Sequence, residues 1–163
     1  MSVYYPSEGE VGTGTIKPQV RIEFQNTKDN GLGIPLPQGK VKVYQRDASG
    51  SVQMLGEDNI QHTPRDEKLS LVVGRSSDVV GERKRLNFKA VSSRAYEETF
   101  LLEVRNRKDT DETINWMERH WGDWKVTQKS MDFNKLDANT MEFVVSLKAG
   151  ETKKITYTVI TRW

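Results

Sequence analysis

From Val20 onward, apolar side chains recur at every second position in one short run after another. Val20, Ile22 and Phe24 alternate with Arg21, Glu23 and Gln25. Phe100, Leu102 and Val104 repeat the pattern, as do Met141, Phe143, Val145 and Leu147, and then Ile155, Tyr157 and Val159. Successive side chains on a strand point to opposite faces, so this period predicts half-buried strands stacked against a second layer. Strands are predicted over residues 16–25, 40–46, 52–56, 69–73, 79–90, 94–106, 113–118, 124–129, 140–147 and 153–162. No stretch of a dozen residues carries the i, i+3, i+4, i+7 spacing of an amphipathic helix, so helix is expected to be minor.

Turn chemistry punctuates the runs. Asp47-Ala-Ser-Gly50 reads as a hairpin turn, Ser92-Ser93 joins the two longest strands into one extended hairpin, and Lys148-Ala-Gly-Glu151 reads as a Gly-containing hairpin loop between the last two strands. About ten strands exceed the seven of an immunoglobulin-like sandwich. The expected fold is therefore all-β, an antiparallel β-sandwich of two immunoglobulin-like sub-domains linked by the long hairpin. The expected division is a loose lead-in over 1–14, with Tyr4 and Tyr5 its only large groups, an N-terminal part over 15–90 and a C-terminal part over 91–163. No change of composition marks a linker, which points to two parts sharing a sheet or an interface.

Composition narrows the function classes. The 163 residues suffice for a self-sufficient core. Twenty-five basic against 23 acidic side chains, interspersed, leave a net charge of +2, which gives no steering toward nucleic acid. The absence of cysteine removes disulfides, thiol catalysis and the usual structural zinc sites. The longest apolar stretches are too short to cross a bilayer, and residues 1–9 have neither the basic nor the apolar region of a signal peptide. Either the protein is cytoplasmic or the chain is a piece of a longer exported one. No cofactor fingerprint is present, so no cofactor is expected.

Asn30-Gly-Leu-Gly-Ile-Pro-Leu-Pro-Gln-Gly39 is the most distinctive stretch. Its prolines at 35 and 37 lack amide donors, which places it at a sheet edge or crossover. An extended register puts Leu32, Ile34 and Leu36 on one side. That side either tucks into the core or docks a protein partner or a second copy of the chain. Gly39-Lys40 is followed by Val41 and a strand, which does not fit a phosphate loop. His62-Thr-Pro-Arg-Asp-Glu67 is a polar turn in which His62 with Asp66 and Glu67 are the only acid–base candidates, as for a hydrolase. Trp116 and Trp124 share strand faces with Ile114 and Val126 and read as core; Trp121, beside Gly122, is the candidate for an exposed glycan platform. Two histidines without a ligand spacing make no zinc motif, and the acids Asp109, Asp111 and Glu112 read as a solvated turn, not a calcium loop. Arg83-Lys-Arg85 and the cations 105, 107 and 108 lie on the two arms of the long hairpin opposite acids 97, 98 and 103, so cross-strand charge pairing is expected. Alternation sets Arg83, Arg85 and Asn87 on the face opposite Leu86 and Phe88.

The stretch Gly31-Leu-Gly-Ile-Pro-Leu-Pro-Gln-Gly-Lys-Val-Lys-Val-Tyr44 resembles the uncharacterised bacterial family called domain of unknown function 4139. His62-Thr-Pro-Arg-Asp-Glu-Lys68, Asp78-Val-Val-Gly-Glu-Arg83, Arg105-Asn-Arg-Lys108, Gly122-Asp-Trp124 and the closing strand through Trp163 look like the same family, so that the likeness spans residues 18–163. The resemblance implies a β-rich fold and a periplasmic or extracellular, envelope-associated setting; it supplies no activity, cofactor or catalytic residue. The family's domain begins further upstream, so the resemblance also implies a C-terminal part of a longer protein. Together these readings give a non-enzymatic structural or protein-interaction module as the expected function, with the hydrolase and the glycan binder as alternatives.

Overall fold

The computed structural model describes residues 2–4, 14–46 and 49–163. Among the described residues the chain is strands and turns, with one 3-10 turn at Lys28–Asn30 and no α-helix. The strands are β1 (Ser2–Tyr4), β2 (Gly14–Ile16), β3 (Gln19–Gln25), β4 (Gly39–Arg46), β5 (Val52–Ile60), β6 (Lys68–Arg75), β7 (Val79–Ser92), β8 (Ala95–Asn106), β9 (Glu112–Arg119), β10 (Asp123–Lys129), β11 (Asn134–Lys135), β12 (Thr140–Leu147) and β13 (Thr152–Arg162). Each predicted strand is present, and the predicted first strand is two, interrupted at Lys17-Pro18.

The chain divides into two compact units, a large one of Met1–Pro18 with Ser76–Trp163 and a small one of Gln19–Arg75. The large unit is a two-layer sandwich. One layer runs β11-β12-β9-β1 and the other β10-β13-β8-β7-β2. The alternating residues named above close its core: Phe100, Leu102 and Val104 from β8 and Tyr157 and Val159 from β13 meet Ile114 and Trp116 from β9 and Phe143 and Val145 from β12. Every one of these is at most 2% exposed. Full burial of so many large side chains, at roughly 1.5–3 kcal/mol each, is the main stabilising term of this unit.

In the small unit β3 pairs antiparallel with β6, and β4 with β5. Leu69, Leu71 and Val73 on β6 are its buried apolar row. β5 approaches β6 so closely that a Cβ on Gly56 would lie 1.9 Å from the Val73 carbonyl oxygen, and the Asp58 carboxylate accepts the Val72 amide at 2.7 Å.

Four expectations are corrected. The division does not run at residue 90: both arms of the β7–β8 hairpin pair within the large unit, so this hairpin is the middle of one sheet and not a link between sub-domains. Lys148–Glu151 is not a hairpin loop, because β12 pairs with β9 while β13 pairs with β8 and β10; the turn carries the chain from one layer to the other. The lead-in is not loose throughout, since Ser2–Tyr4 pairs parallel with β9 and Gly14–Ile16 antiparallel with β7. A bulge between Arg85 and Asn87 shifts the register of β7, so Phe88 falls on the same face as Arg85 instead of the opposite one. The expected turn at 47–50 includes Asp47 and Ala48, which lie outside the described residues.

Candidate functional site

In the small unit the chain leaves β3 at Asn26, passes the 3-10 turn and enters the proline segment through two glycines with left-handed φ, Gly31 at 76° and Gly33 at 85°. A Cβ on Gly33 would sit 2.7 Å from Lys28 Cγ and 2.8 Å from its amide nitrogen, so only glycine fits this turn. These glycines break the extended register expected for 32–36. Leu32 and Leu36 are half-buried, whereas Ile34 is 63% exposed, so the three do not share one face.

Asn26 holds this geometry. Its side chain is fully buried; Nδ2 donates to the Ile34 carbonyl at 2.7 Å and to the Pro64 carbonyl at 2.8 Å, and Oδ1 accepts the Gly33 amide at 3.0 Å. Its backbone amide donates to the Glu67 carbonyl and its carbonyl accepts the Asp66 amide. Leu36 and Thr63 exchange both backbone bonds at 2.9 Å. The proline segment and the His-Thr-Pro loop, far apart in sequence, are therefore one substructure. Pro35, Leu36, Pro37, His62, Thr63 and Pro64 line a shallow groove of about 480 Å³ on it. Loops tied at several points this way present their side chains with little ordering left to do on binding.

The acid–base candidates do not assemble. His62 is exposed and its Nδ1 accepts the Gln38 amide at 3.4 Å; among the described residues no hydrogen bond or ion pair joins it to Asp66 or Glu67, both exposed. Asp66 instead serves the turn, with φ of 68°. Trp116 and Trp124 are buried, and Trp121 is 55% exposed. Asp111 is held by Lys148 at 2.7 Å and the Ala149 amide at 3.1 Å, and Glu112 by Lys108 at 2.6 Å. Those lysine and amide contacts hold the Asp111 carboxyl below its ordinary pKa. Among the described residues no group of three or more His, Asp or Glu side chains is arranged to hold a metal ion, and no helix is long and apolar enough to cross a membrane.

A polar cluster inside the large unit escapes the sequence reading. Glu118, 1% exposed, accepts from Trp116 Nε1 at 2.7 Å, from Arg83 Nε at 2.9 Å and from the Tyr157 hydroxyl at 2.5 Å. The Tyr157 hydroxyl also lies 3.3 Å from His120 Nε2, and the Arg83 guanidinium covers the Phe100 ring at 3.8 Å. Burial works against the Arg83 charge, yet the Glu118 carboxylate and Tyr157 leave its pKa raised. Burial, and then the Glu118 charge, push the Tyr157 phenol well above its ordinary value. Arg83 thus pairs across the two layers, whereas Arg85 with Glu98 and Arg105 with Glu82 pair across the strands of the hairpin as expected, and Arg105 also meets Glu103 on its own strand. One signal was present: Glu118 stands in the apolar row of β9 after Ile114 and Trp116, a place where a carboxylate needs partners. The cluster joins β7 and β13 of one layer to β9 of the other through groups that satisfy one another.

Two other resemblance segments have structural reasons. Asn106 is fully buried and ties the 105–108 turn down by donating to the Thr110 and Lys148 carbonyls while accepting the Lys108 amide. Gly122, at φ 76°, would place a Cβ 2.7 Å from the Arg162 carbonyl. Comparison with family models, curated proteins and solved structures gives no match.

Proposed function

We propose that this chain is a non-enzymatic protein-interaction module of an envelope-associated bacterial protein, and that it engages its partner through the loop pair of the small unit. The observation that carries this reading is the fully buried Asn26, which spends its whole side-chain amide on holding two proline-containing loops so that Ile34 stands out between them. A fixed, exposed apolar side chain beside a groove lined by prolines is the anatomy of an interface anchor. The bacterial and envelope setting rests on the family resemblance. Hydrolysis by His62 draws no support from hydrogen bonding, because among the described residues no bond or ion pair joins it to Asp66 or Glu67.

Retention of envelope polypeptides by the immobilised chain tests the reading. A polypeptide retained by the wild type and by Trp121→Ala is expected to be lost with Ile34→Asp, while the urea unfolding midpoint of Ile34→Asp stays that of the wild type. Undiminished retention by a folded Ile34→Asp variant would sink the proposal, and loss with Trp121→Ala alone would move the site to the glycan reading.

A further inference from the structure

The chain contains one Asn-Gly pair, Asn30-Gly31, at the end of the 3-10 turn that leads into the proline segment. In such a pair the backbone nitrogen of the following residue lies close to the side-chain amide carbon of the asparagine, and glycine, having no Cβ, leaves that nitrogen unshielded and the backbone free to turn toward it. Each of the other seven asparagines precedes a residue at least as large as threonine, and two of them, Asn26 and Asn106, are fully buried. Position 30 is therefore set apart by sequence and by exposure.

The local geometry leaves the pair accessible. Asn30 and Gly31 are both exposed, and a Cβ on Gly31 would meet nothing within 4 Å. Asn30 Nδ2 donates to the Gln25 carbonyl at 2.8 Å, and the Gly31 amide donates to the Lys28 carbonyl at 2.9 Å. Exposed bonds of a single turn open locally, without unfolding of the chain, and opening this turn releases both groups together. The Asn30 bond ends one residue before Asn26, whose side chain holds the two proline-containing loops, and the Leu32 amide bonds the Thr27 carbonyl at 3.0 Å across the same turn.

We infer that Asn30 is a site of self-modification. The Gly31 nitrogen attacks Asn30 Cγ, and the new C–N bond closes a succinimide ring. The Cγ–Nδ2 bond breaks, and the side-chain nitrogen leaves as ammonia with the proton that the Gly31 nitrogen gives up. Water then opens the ring at one or the other carbonyl, leaving an aspartyl or an isoaspartyl residue at position 30. Water is the only co-reactant, and nothing is oxidised or reduced. Either product has a carboxylate in place of the amide, which has no proton to donate to the Gln25 carbonyl, and it stands beside the acidic Asp29. The isoaspartyl product also adds a methylene to the backbone between Asn26 and Gly33. Modification thus loosens the turn through which Asn26 Oδ1 holds the Gly33 amide at 3.0 Å. The modification stands apart from the interaction reading; its effect on a partner rests on that reading.

The test ages the full chain in mildly alkaline buffer at body temperature and follows each asparagine by peptide mapping with mass spectrometry, resolving aspartyl from isoaspartyl products. Conversion at position 30 is expected to outrun that at every other asparagine by about tenfold or more, and Gly31→Ala is expected to slow it by a similar factor. The left-handed φ of 76° makes alanine unfavourable at position 31, so this variant loosens the turn, and a slower reaction reports the shielded nitrogen and not a tighter fold. The Gly33 amide should lose exchange protection in the aged chain and in Asn30→Asp alike. The inference is overturned if Asn30 stays intact while other asparagines convert, if Gly31→Ala reacts as fast as the wild type, or if the Gly33 amide keeps its protection after conversion. A polypeptide retained by the fresh chain should be retained less by the aged one. Equal retention after the Gly33 protection is lost would strike the interaction reading of the loop pair and leave the modification site standing.

Discussion

The His120 imidazole lies among the rings of Phe100, Trp124 and Tyr157, and burial, with the Arg83 charge adding to it and Glu118 opposing, holds its pKa down to about 4 against an ordinary 6.5. The folded chain therefore keeps this ring neutral in a range where the unfolded chain protonates it. Its contribution to stability is complete above pH 6.5 and is lost as the pH falls toward 4, about 3 kcal/mol in all. Urea unfolding of the wild type should show stability falling from pH 6.5 to 4.5, and His120→Gln should fall less steeply over the same range. Parallel slopes would mean that other groups cause the acid sensitivity. Asn26, Asn106 and Glu118 act at the same scale. Leaving a buried partner of any of them unsatisfied costs roughly 1–3 kcal/mol, more for a charge. Their roles were hard to read in the chain because a polar residue type does not reveal whether the fold will enclose it; only Glu118, in an apolar row, announced itself.

Elements fit together here through a few close approaches. Gly81 on β7 faces the Trp116 indole of the opposing layer, where a Cβ would lie 2.5 Å from Cζ3. Gly39, at the start of β4, has nothing within 4 Å of such an atom. Gly81→Ala should therefore destabilise the protein by about 1–3 kcal/mol, as overpacked cores do, while Gly39→Ala should change stability by less than about 0.5 kcal/mol. Equal urea midpoints for the two variants would show that Trp116 can yield. The strands themselves were legible because their alternation is a local property. Which strands pair was not. Lys148-Ala-Gly-Glu151 has the composition of a hairpin loop, yet Asn106 and Asp111 capture its backbone and lead β13 into the other layer.

For the whole molecule, the small unit is an insertion between β2 and β7. Its two ends meet, since the Ser76 amide donates to the Pro18 carbonyl at 2.8 Å, and the main core cluster is built from residues of the large unit alone. Replacing Gln19–Arg75 by a short Gly-Ser linker should leave the large unit folded. All four tryptophans, at 116, 121, 124 and 163, lie in that unit and report on it by fluorescence and near-ultraviolet dichroism. A cooperative unfolding transition with a retained near-ultraviolet signal is expected. A broad transition without that signal would show that the insertion is needed for the sandwich to form.

The sequence by itself determined the β class, the positions of the strands and most of the core, because period-two patterning and burial of large apolar side chains act on each strand separately. Trp116, Trp124 and the rows of β8, β12 and β13 were settled at that level. Only the tertiary structure decided the division into units, the passage between layers after β12, the joining of the proline segment to the His-Thr-Pro loop, and the enclosure of Glu118 with Arg83 and Tyr157. The physical reason is common to all four: each depends on which groups, distant along the chain, find one another as hydrogen-bond partners, and a buried side chain such as Asn26 makes that choice only once the fold has enclosed it.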